Sequence, residues 1–303
     1  MHAPAQAAPP SGVLLLDKPE GVSSNGALQR VRRLTGADKA GHVGSLDPLA
    51  TGMLPICLGE ATKIAGELVG GRKRYRFEIA LGAATDTGDR EGAVIERAPV
   101  PELQPEPLAA VLARFIGRQG QVPPMYSALK RGGQPLYRLA RAGVEVERAP
   151  REIEIDELTV LTMRGAAVEL EALCSKGTYI RVLAADIARA LGTCGHVRRL
   201  RRICVAPFEG EPMATLEALE AACRTGSPPR LIAADRALPN LPAVTVTGPA
   251  AARLACGQAV SSPAPQLTGR VRLYDPAGCF LGLGEAGGGS LRPKRMFLVA
   301  GGA

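Results

Sequence analysis

The sequence predicts an α+β domain that is followed by a small all-β module. Apolar and charged residues alternate over residues 75–81, which is the pattern of a half-buried strand. Apolar residues recur at helical spacing over residues 180–191. Further along the chain the apolar runs become short, as in residues 271–274, and Gly and Pro separate them. We therefore expect an α+β domain over residues 12–240 and an all-β module over residues 241–303.

The first residues, 1–11, are rich in Ala and Pro and lack the basic region and apolar core of a signal peptide. We predict that they form a disordered tail. Residues 12–17 form a short apolar run that soon meets a proline, which predicts a strand. Ser24 and Asn25 are suited to cap the helix that follows, in which apolar residues recur every three positions.

The middle of the chain alternates between loops and regular elements. Three glycines and one proline within Gly41–Gly52 predict a loop. Residues 117–151 are rich in Gly, Pro and Arg and predict an insertion. A second alternating strand covers residues 168–174 and leads into a helix that Gly192 ends. Four arginines then follow within residues 198–202.

Composition narrows the class of function. The chain has 303 residues and a formal net charge of +8, and such an excess favours polyanionic partners because neutralised phosphates release counterions. Its seven scattered cysteines include no Cys-x-x-Cys pair, which predicts reduced thiols in a cytoplasmic protein. Three histidines far apart, with no P-loop or dinucleotide fingerprint, predict neither a metal nor a nucleotide cofactor. No apolar run approaches the roughly 18–20 residues needed to cross a bilayer.

Asp47 is the residue of the predicted loop that is best suited to take part in a reaction. It precedes Pro48, whose ring stiffens the backbone, so its carboxylate can project into a cleft. There it could attack an electron-poor carbon or stabilise positive charge at a sugar carbon. The spacing alone favours a plainer interpretation, an Asx-turn in which the aspartate accepts a hydrogen bond from its own backbone.

The segment Gly41–Gly52 resembles the catalytic signature of the TruB class of tRNA pseudouridine synthases. Further segments match that class in the same order along the chain, namely Leu14–Pro19, Lys73–Arg76, Thr85–Asp89, Pro124–Lys130 and Cys174–Arg181. Six motifs in the same order along the chain are not plausibly a coincidence. The resemblance runs from about Gly12 to Pro207 and continues into the C-terminal module, which is similar to the family's PUA domain.

The resemblance implies roles for individual residues. Asp47 matches the catalytic carboxylate, Tyr75 matches the tyrosine that stacks on the flipped uracil, and Arg181 matches the arginine that pairs with the carboxylate. Other positions match residues that contact the RNA, line the base pocket or support the active site, and we group them as substrate-binding: His42, Tyr179, Leu200 and Lys18.

The same resemblance implies the substrate and the architecture. We expect isomerisation of the uridine at position 55, in the T-loop of tRNA, without a cofactor. A catalytic domain with a mixed central sheet and flanking helices would carry a thumb-like insertion, residues 117–151, that folds over the T-arm. A PUA-like RNA-binding domain, residues 241–303, would reach the acceptor end. We further expect a cytoplasmic monomer that makes no membrane contact.

Physical arguments support these roles. The target base must leave its stack before it can react, at a cost of a few kcal/mol. Stacking on an aromatic ring contributes about 1–3 kcal/mol per base, which is the role expected of Tyr75. Arg181 begins a helix after a turn, so its guanidinium can bind Asp47 bidentately and keep it ionised. Strand alternation points Arg74 and Arg76 away from Tyr75, and the resemblance then implies that Arg181 is the cation close to it.

Two other classes of function stay open at this stage. A non-catalytic RNA-binding or tRNA-folding protein would keep the fold without turnover. A glycosidase would need two working carboxylates, and only one stands in a family-like setting. The basic stretches at residues 72–76 and 198–202 are expected to hold RNA phosphates. The sequence leaves open whether Asp47 attacks the sugar C1′, attacks the uracil C6 or assists formation of a glycal.

Overall fold

The computed structural model describes residues 10–227 and 229–297. Apart from Pro10 and Ser11, the predicted tail at residues 1–11 lies outside the described residues. The strands of the first range are β1 (Gly12–Lys18), β2 (Ala40–His42), β3 (Thr51–Leu58), β4 (Lys73–Leu81), β5 (Ala83–Thr85), β6 (Val94–Arg97), β7 (Gly117–Gln121), β8 (Lys130–Arg131), β9 (Gln134–Pro135), β10 (Arg151–Arg164), β11 (Ala167–Cys174) and β12 (Gly195–Val205). The helices of the same range are α1 (Ser24–Thr35), α2 (Ala65–Leu68), α3 (Pro105–Ala113), α4 (Leu136–Arg141), α5 (Ile180–Ala190) and α6 (Leu216–Arg224), with a 3₁₀ helix at Gly59–Ile64.

A mixed sheet forms the centre of this part of the chain. Its strands run in the order β1-β3-β12-β4-β11-β10-β7, and β2 pairs with β3. Strand β12 is parallel to β3 and antiparallel to β4, which makes the sheet mixed. One apolar cluster joins the central strands to α3 and α5, and a second joins β1 and β3 to α1 and α6. The predicted α+β class, with a mixed central sheet and flanking helices, is confirmed.

The C-terminal residues form a separate five-stranded sheet. Its elements are β13 (Ala243–Thr245), α7 (Gly248–Ala255), β14 (Val260–Ser261), β15 (Gly269–Tyr274), β16 (Phe280–Gly287) and β17 (Ser290–Met296), and the strand order is β13-β15-β16-β17-β14. The small C-terminal β domain is confirmed, although it also contains one short helix, α7, that the sequence pattern does not predict.

This second sheet packs against the rest of the chain. Phe280, Leu283 and Phe297 belong to an apolar cluster that also contains Ile64 and Leu68. The Nζ of Lys63 donates a 2.8 Å hydrogen bond to the backbone oxygen of Met296. Removing the C-terminal residues would therefore expose an apolar surface of the catalytic part.

Local predictions near the candidate site need two corrections. The segment Gly41–Gly52 is not irregular throughout, because β2 and β3 include its ends and only residues 43–50 form the loop. The N-cap of α1 is Ser23, whose side chain accepts a hydrogen bond from the backbone of Gly26. Ser24 is buried instead, and its hydroxyl bonds to both the backbone N–H and the backbone oxygen of Leu46. Ser24 thus fixes the loop to α1.

The segment expected to be an insertion, residues 117–151, begins inside the large sheet. Its first residues form β7, which pairs antiparallel with β10 at the edge of that sheet. The residues that follow carry the two-stranded β8–β9 sheet and helix α4. Only residues 122–150 of this segment therefore lie outside the large sheet.

Gly52 marks a close approach between β3 and β12. Its φ is +98°, and a Cβ atom there would lie 2.2 Å from the backbone oxygen of Arg202. We expect Gly52→Ala to lower the free energy of unfolding by at least about 1–3 kcal/mol, because the backbone is strained and the strands must separate. Urea denaturation measures this change. Gly66→Ala is the control, because a Cβ on Gly66 in α2 meets open space. Equal stability of the two variants would contradict the close approach.

Candidate active site

A cleft of about 390 Å³ lies among the 43–50 loop, β4, β12 and the start of α5. Its lining contains most of the positions that the sequence patterns single out, namely Asp47, Tyr75, Tyr179, Arg181 and Leu200. These residues are far apart along the chain, and the mixed sheet brings them together. Two other predicted positions, His42 and Lys18, are not part of the lining.

Asp47 and Arg181 form the ion pair expected from the sequence. Nε of Arg181 lies 2.9 Å from Oδ2 of Asp47, and Nη2 lies 3.3 Å from Oδ1, so the contact is bidentate. The Arg181 side chain is 4% exposed, whereas the Asp47 side chain is 40% exposed. The guanidinium therefore holds the carboxylate from behind and leaves it open to the cleft.

Arg181 also ties two other segments to this point. Its Nη1 donates a 2.6 Å hydrogen bond to the backbone oxygen of Thr87, and its Nη2 donates one of 2.6 Å to that of Tyr126. A second carboxylate, Asp89, is buried 3.8 Å from the Nε of Arg181. Sequence reasoning missed Asp89, which accepts hydrogen bonds from the Thr87 hydroxyl and the backbone of Glu91. Asp89 is absent from the lining of the cleft, so it does not supply the second exposed carboxylate of a glycosidase.

The surroundings of Asp47 act on its ionisation in opposite directions. Burial in the cleft raises the pKa of Asp47, and the nearby Asp89 adds to that effect. Arg181 opposes the rise through its charge and its hydrogen bonds, and Lys18 opposes it through its charge. The pKa of Asp47 is consequently above the usual aspartate range, because burial is the largest influence.

Lys18 supports the 43–50 loop, and its place among the substrate-binding positions stays a prediction. The residue is fully buried. Its Nζ donates hydrogen bonds to the backbone oxygens of Pro19 at 2.8 Å, Val22 at 2.6 Å and Pro48 at 3.2 Å. These bonds use all the donors of the ammonium group, and desolvation lowers the pKa of Lys18 to about 8.

His42 lies at the end of β2 and is half-buried, outside the lining of the cleft. Burial lowers the pKa of His42, and the positive charge of Arg202 lowers it further. Its buried Nδ1 has no hydrogen-bond partner within residues 10–227 and 229–297. We therefore keep its contact with RNA as a proposal only.

Tyr75 lies on β4 with 8% of its surface exposed, and burial raises the pKa of its hydroxyl. Arg74 and Arg76 form ion pairs with Glu171, as expected for side chains that point away from Tyr75. Arg202, which the sequence reasoning did not consider, exerts the largest opposing influence on the pKa of Tyr75, through its positive charge. The expectation that Arg181 lies near Tyr75 stays a prediction.

Arg202 belongs to a basic stretch of the sequence, and the structure buries it to 1% exposure. Its Nε donates a 2.7 Å hydrogen bond to the backbone oxygen of Met53, and its Nη2 donates one of 2.9 Å to that of Gly44. A signal is present in the sequence, because Arg202 is two residues after Leu200 and a strand places such residues on one face. Arg202 and Leu200 both line the cleft.

The other arginines of the two basic stretches are largely neutralised by carboxylates. Their ion pairs are Arg72 with Glu154 and Asp156, Arg74 with Glu157 and Glu171, Arg198 with Glu78, and Arg201 with Asp17. The expectation that these stretches hold RNA phosphates stays a prediction. Paired arginines offer less net positive charge to a polyanion.

Tyr179 is held at the rim of the cleft by Gln121. The side-chain oxygen of Gln121 accepts a 2.8 Å hydrogen bond from the backbone N–H of Tyr179, and its amide nitrogen donates one of 3.2 Å to the backbone oxygen. Strand β7 thereby fixes the turn before α5.

The described ranges contain no group of three His, Cys, Asp or Glu side chains that could hold a metal ion. They also contain no helix of the length and apolarity needed to cross a membrane.

Family models match successive parts of the chain. The N-terminal domain of TruB family pseudouridylate synthase matches residues 32–180, the C-terminal domain of tRNA pseudouridylate synthase B matches residues 181–231, and the C-terminal model of pseudouridine synthase II TruB matches residues 242–297. tRNA pseudouridine synthase B of Dechloromonas aromatica (strain RCB) is 50% identical over 290 residues, which cover 95% of this chain and 96% of that protein. The chain belongs to the TruB family of pseudouridylate synthases.

Other TruB relatives and solved structures agree with this assignment. tRNA pseudouridine synthase B of Chromohalobacter salexigens is 48% identical over 295 residues, which cover 96% of each chain. A chain in the crystal structure of a Cbf5-Nop10-Gar1 complex is 24% identical, with a TM-score of 0.73 over 95% of this chain and 85% of that chain. That similarity shows a shared fold. The resemblance found in the sequence is confirmed, and the chain is an isomerase of the TruB family.

The Asp47–Arg181 pair leads to a prediction about pH. If the ionised carboxylate is the reactive form, the rate of pseudouridine formation rises with pH through the pKa of Asp47. Arg181→Met removes the charge that opposes the effect of burial, so the acid limb of the profile should move to higher pH. We also expect the maximal rate to fall about 100-fold or more.

Single-turnover rates at saturating enzyme, measured from acidic to alkaline pH, provide this profile. Arg189→Met is the matched control, because Arg189 lies on the same helix and pairs with Asp186 at the surface. An unshifted acid limb in Arg181→Met would show that Arg181 does not tune Asp47.

Proposed function

We propose that this chain isomerises the uridine at position 55, in the T-loop of tRNA, with Asp47 as the catalytic carboxylate. The observation that carries the proposal is the bidentate contact between Asp47 and Arg181 at the base of a cleft that Tyr75 also lines. Relatives named tRNA pseudouridine synthase B, 48–50% identical over nearly the whole chain, support tRNA as the substrate. The T-loop position rests on the resemblance of Gly41–Gly52 to the family's catalytic signature.

In this proposal the target nucleotide flips out of the T-loop and its uracil enters the cleft. The ring stacks on Tyr75, while Tyr179 and Leu200 bound the pocket around it. The N-glycosidic bond breaks, the uracil turns, and its C5 joins the sugar. No net oxidation or hydrolysis occurs. The proposal requires that Asp47 be ionised, and it accommodates attack at C1′, attack at C6 or assistance to a glycal.

Exposed cations outside the cleft are proposed to hold the RNA backbone. Around the thumb they are Lys130, Arg131, Arg138 and Arg141, and on the C-terminal sheet they are Arg292, Lys294 and Arg295. Arg270 and Arg272 of the same sheet are not in the second group. Arg270 pairs with Glu67, and Arg272 donates hydrogen bonds to the backbone oxygens of Asp235 and Leu241.

The domain assignment completes the proposal. Residues 12–240 carry the chemistry, residues 117–151 include the thumb that folds over the T-arm, and residues 241–303 act as a PUA-like RNA-binding domain that reaches the acceptor end. The family match over residues 242–297 and the separate five-stranded sheet support this division. The proposed enzyme works as a cytoplasmic monomer, with His42 against the RNA.

Asp47→Asn tests the catalytic assignment. The change removes the ionisable carboxylate and preserves the size of the side chain, so we expect pseudouridine formation to be abolished and affinity for tRNA to be nearly unchanged. Unmodified tRNA is incubated with each protein, pseudouridine is mapped along the RNA, and binding is titrated separately. Asp38→Asn is the control, because Asp38 is exposed in the loop before β2. Appreciable turnover by Asp47→Asn would refute the assignment, and modification elsewhere by the wild type would refute the T-loop position.

Charge removal tests the role of the C-terminal sheet without exposing the apolar surface beneath it. Replacing Arg292, Lys294 and Arg295 together by Gln should weaken binding of full-length tRNA. The slope of log K against log salt should fall by up to about 0.9 for each phosphate that the variant no longer neutralises. The single-turnover rate on an isolated T-arm hairpin should not change. Arg164→Gln, at an exposed position at the end of β10, is the control. A slower hairpin reaction in the triple variant would contradict this division of roles.

A further inference from the structure

Arg202 is the largest side chain that is fully buried in the described part of the chain. It lies on β12 directly opposite Tyr75 of β4, as a cross-strand pair of the antiparallel ladder. Side chains in such pairs have their Cβ atoms about 4.5–5.5 Å apart. The pairing therefore places the guanidinium beside the Tyr75 ring on the face of the sheet that lines the cleft.

The orientation of Arg202 is fixed by the backbone. Its Nε and Nη2 donate to the oxygens of Met53 and Gly44, one on β3 and one in the catalytic loop. An arginine has five N–H donors, so donors are left after these two bonds. A Cβ atom on Gly44 would lie 3.4 Å from Nη1 of Arg202 and 4.0 Å from Cε of Lys73, so the two cations approach the same point of the loop.

The other groups around Tyr75 leave Arg202 as the main support for negative charge on its hydroxyl. Asp47 from the loop and Cys174 from β11 both raise the pKa of Tyr75, as burial does. Lys73 directs its Nζ to the backbone oxygens of Val69 and Gly71. The remaining titratable groups of the cleft are Lys176, Tyr179 and Arg181. The bonds described for Arg181 go to Asp47, Thr87 and Tyr126.

The proposed reaction creates a need for a base. When C5 of the uracil has joined C1′ of the sugar, C5 still carries its hydrogen. The C5–H bond must break, its electron pair forms the C5=C6 double bond, and the π pair of the N1=C6 double bond moves to N1, which takes up a proton. The loss and the gain of one proton balance, and no electrons are exchanged with another molecule. A phenolate at Tyr75 can receive the C5 proton and later release it to solvent.

We propose that Arg202 is a positioning residue that holds the Tyr75 hydroxyl toward the base and stabilises its phenolate while the C5 proton is transferred. The proposal rests on the proposed function. A guanidinium that is anchored by two backbone oxygens brings its positive charge to the phenol without a carboxylate to neutralise it. Arg202 acts through Tyr75 and need not touch the substrate.

An isotope effect separates this role from a purely structural one. Arg202→Lys keeps the charge but loses the fixed geometry of the guanidinium. We expect the single-turnover rate on a T-arm hairpin to fall on the order of 10-fold, which is less than the roughly 10²–10⁴-fold that a general base contributes, because the variant keeps the charge and the Tyr75 hydroxyl. With deuterium at C5 of the target uridine, the kinetic isotope effect should be larger than in the wild type. Arg201→Lys is the matched control, because Arg201 pairs with Asp17 and does not line the cleft.

A slower Arg202→Lys variant with an unchanged isotope effect would overturn the proposal, since Arg202 would then only shape the pocket. A wild-type rate would overturn it as well. Failure of the wild type to form pseudouridine would instead refute the proposed function. If the wild type forms pseudouridine and Asp47→Asn does not, an unchanged isotope effect or a wild-type rate in Arg202→Lys refutes this inference and leaves the proposed function standing.

Rescue provides the second arm. A 3-fluorotyrosine in place of Tyr75 has a more acidic phenol, so it should restore part of the rate of Arg202→Lys and reduce its isotope effect. Tyr75→Phe should make the reaction insensitive to Arg202→Lys, because the hydroxyl through which Arg202 acts is gone. If circular dichroism shows that Arg202→Lys does not fold, 3-fluorotyrosine replaces Tyr75 in the otherwise wild-type protein. The rate of pseudouridine formation should then begin to rise at a lower pH. No rescue, or no movement, would overturn the proposal.

Discussion

The guanidinium of Arg181 is shared by the Asp47 carboxylate and by the backbone of two further segments, at Thr87 and Tyr126. This sharing makes it the point at which the 43–50 loop, the loop after β5 and the segment that follows β7 meet. A partly desolvated carboxylate without such a partner would be shifted toward its neutral form. The position of the 43–50 loop, the ionisation of Asp47 and the placement of the segment around Tyr126 therefore depend on one side chain at the start of α5.

The distribution of charge follows from where each cation lies. Buried cations around the cleft bond to backbone oxygens, as Lys18, Lys73 and Arg202 do. More exposed arginines on the sheet pair with carboxylates from distant strands, as Arg72 and Arg201 do. A carbonyl oxygen accepts a hydrogen bond without cancelling the charge of the donor. The cleft therefore keeps its positive charge, whereas the carboxylates neutralise the arginines of the surrounding sheet. Such a cleft favours anionic groups that form during a reaction.

Sequence patterns were sufficient for the elements whose burial is periodic. Alternation identified β4 and β11, and helical spacing identified α5. The same reasoning placed Ser24 at the cap of α1, because a propensity does not tell adjacent residues apart, and the structure assigns that role to Ser23. A local sequence pattern could not predict which groups surround each arginine. The partner of Arg201 is Asp17, from the other end of the catalytic part, and the burial of Arg202 depends on the backbone of β3.

Infrared difference spectroscopy between the wild type and Asp47→Asn measures the ionised fraction of Asp47 against pH. It reports directly on whether Arg181 keeps the Asp47 carboxylate ionised. We predict a carboxylate band at neutral pH that disappears on acidification above the pH at which an ordinary aspartate titrates, and that is weaker when Arg181 is replaced by Met. A protonated Asp47 at neutral pH in the wild type, or a titration that does not respond to the loss of Arg181, would contradict this role of the guanidinium.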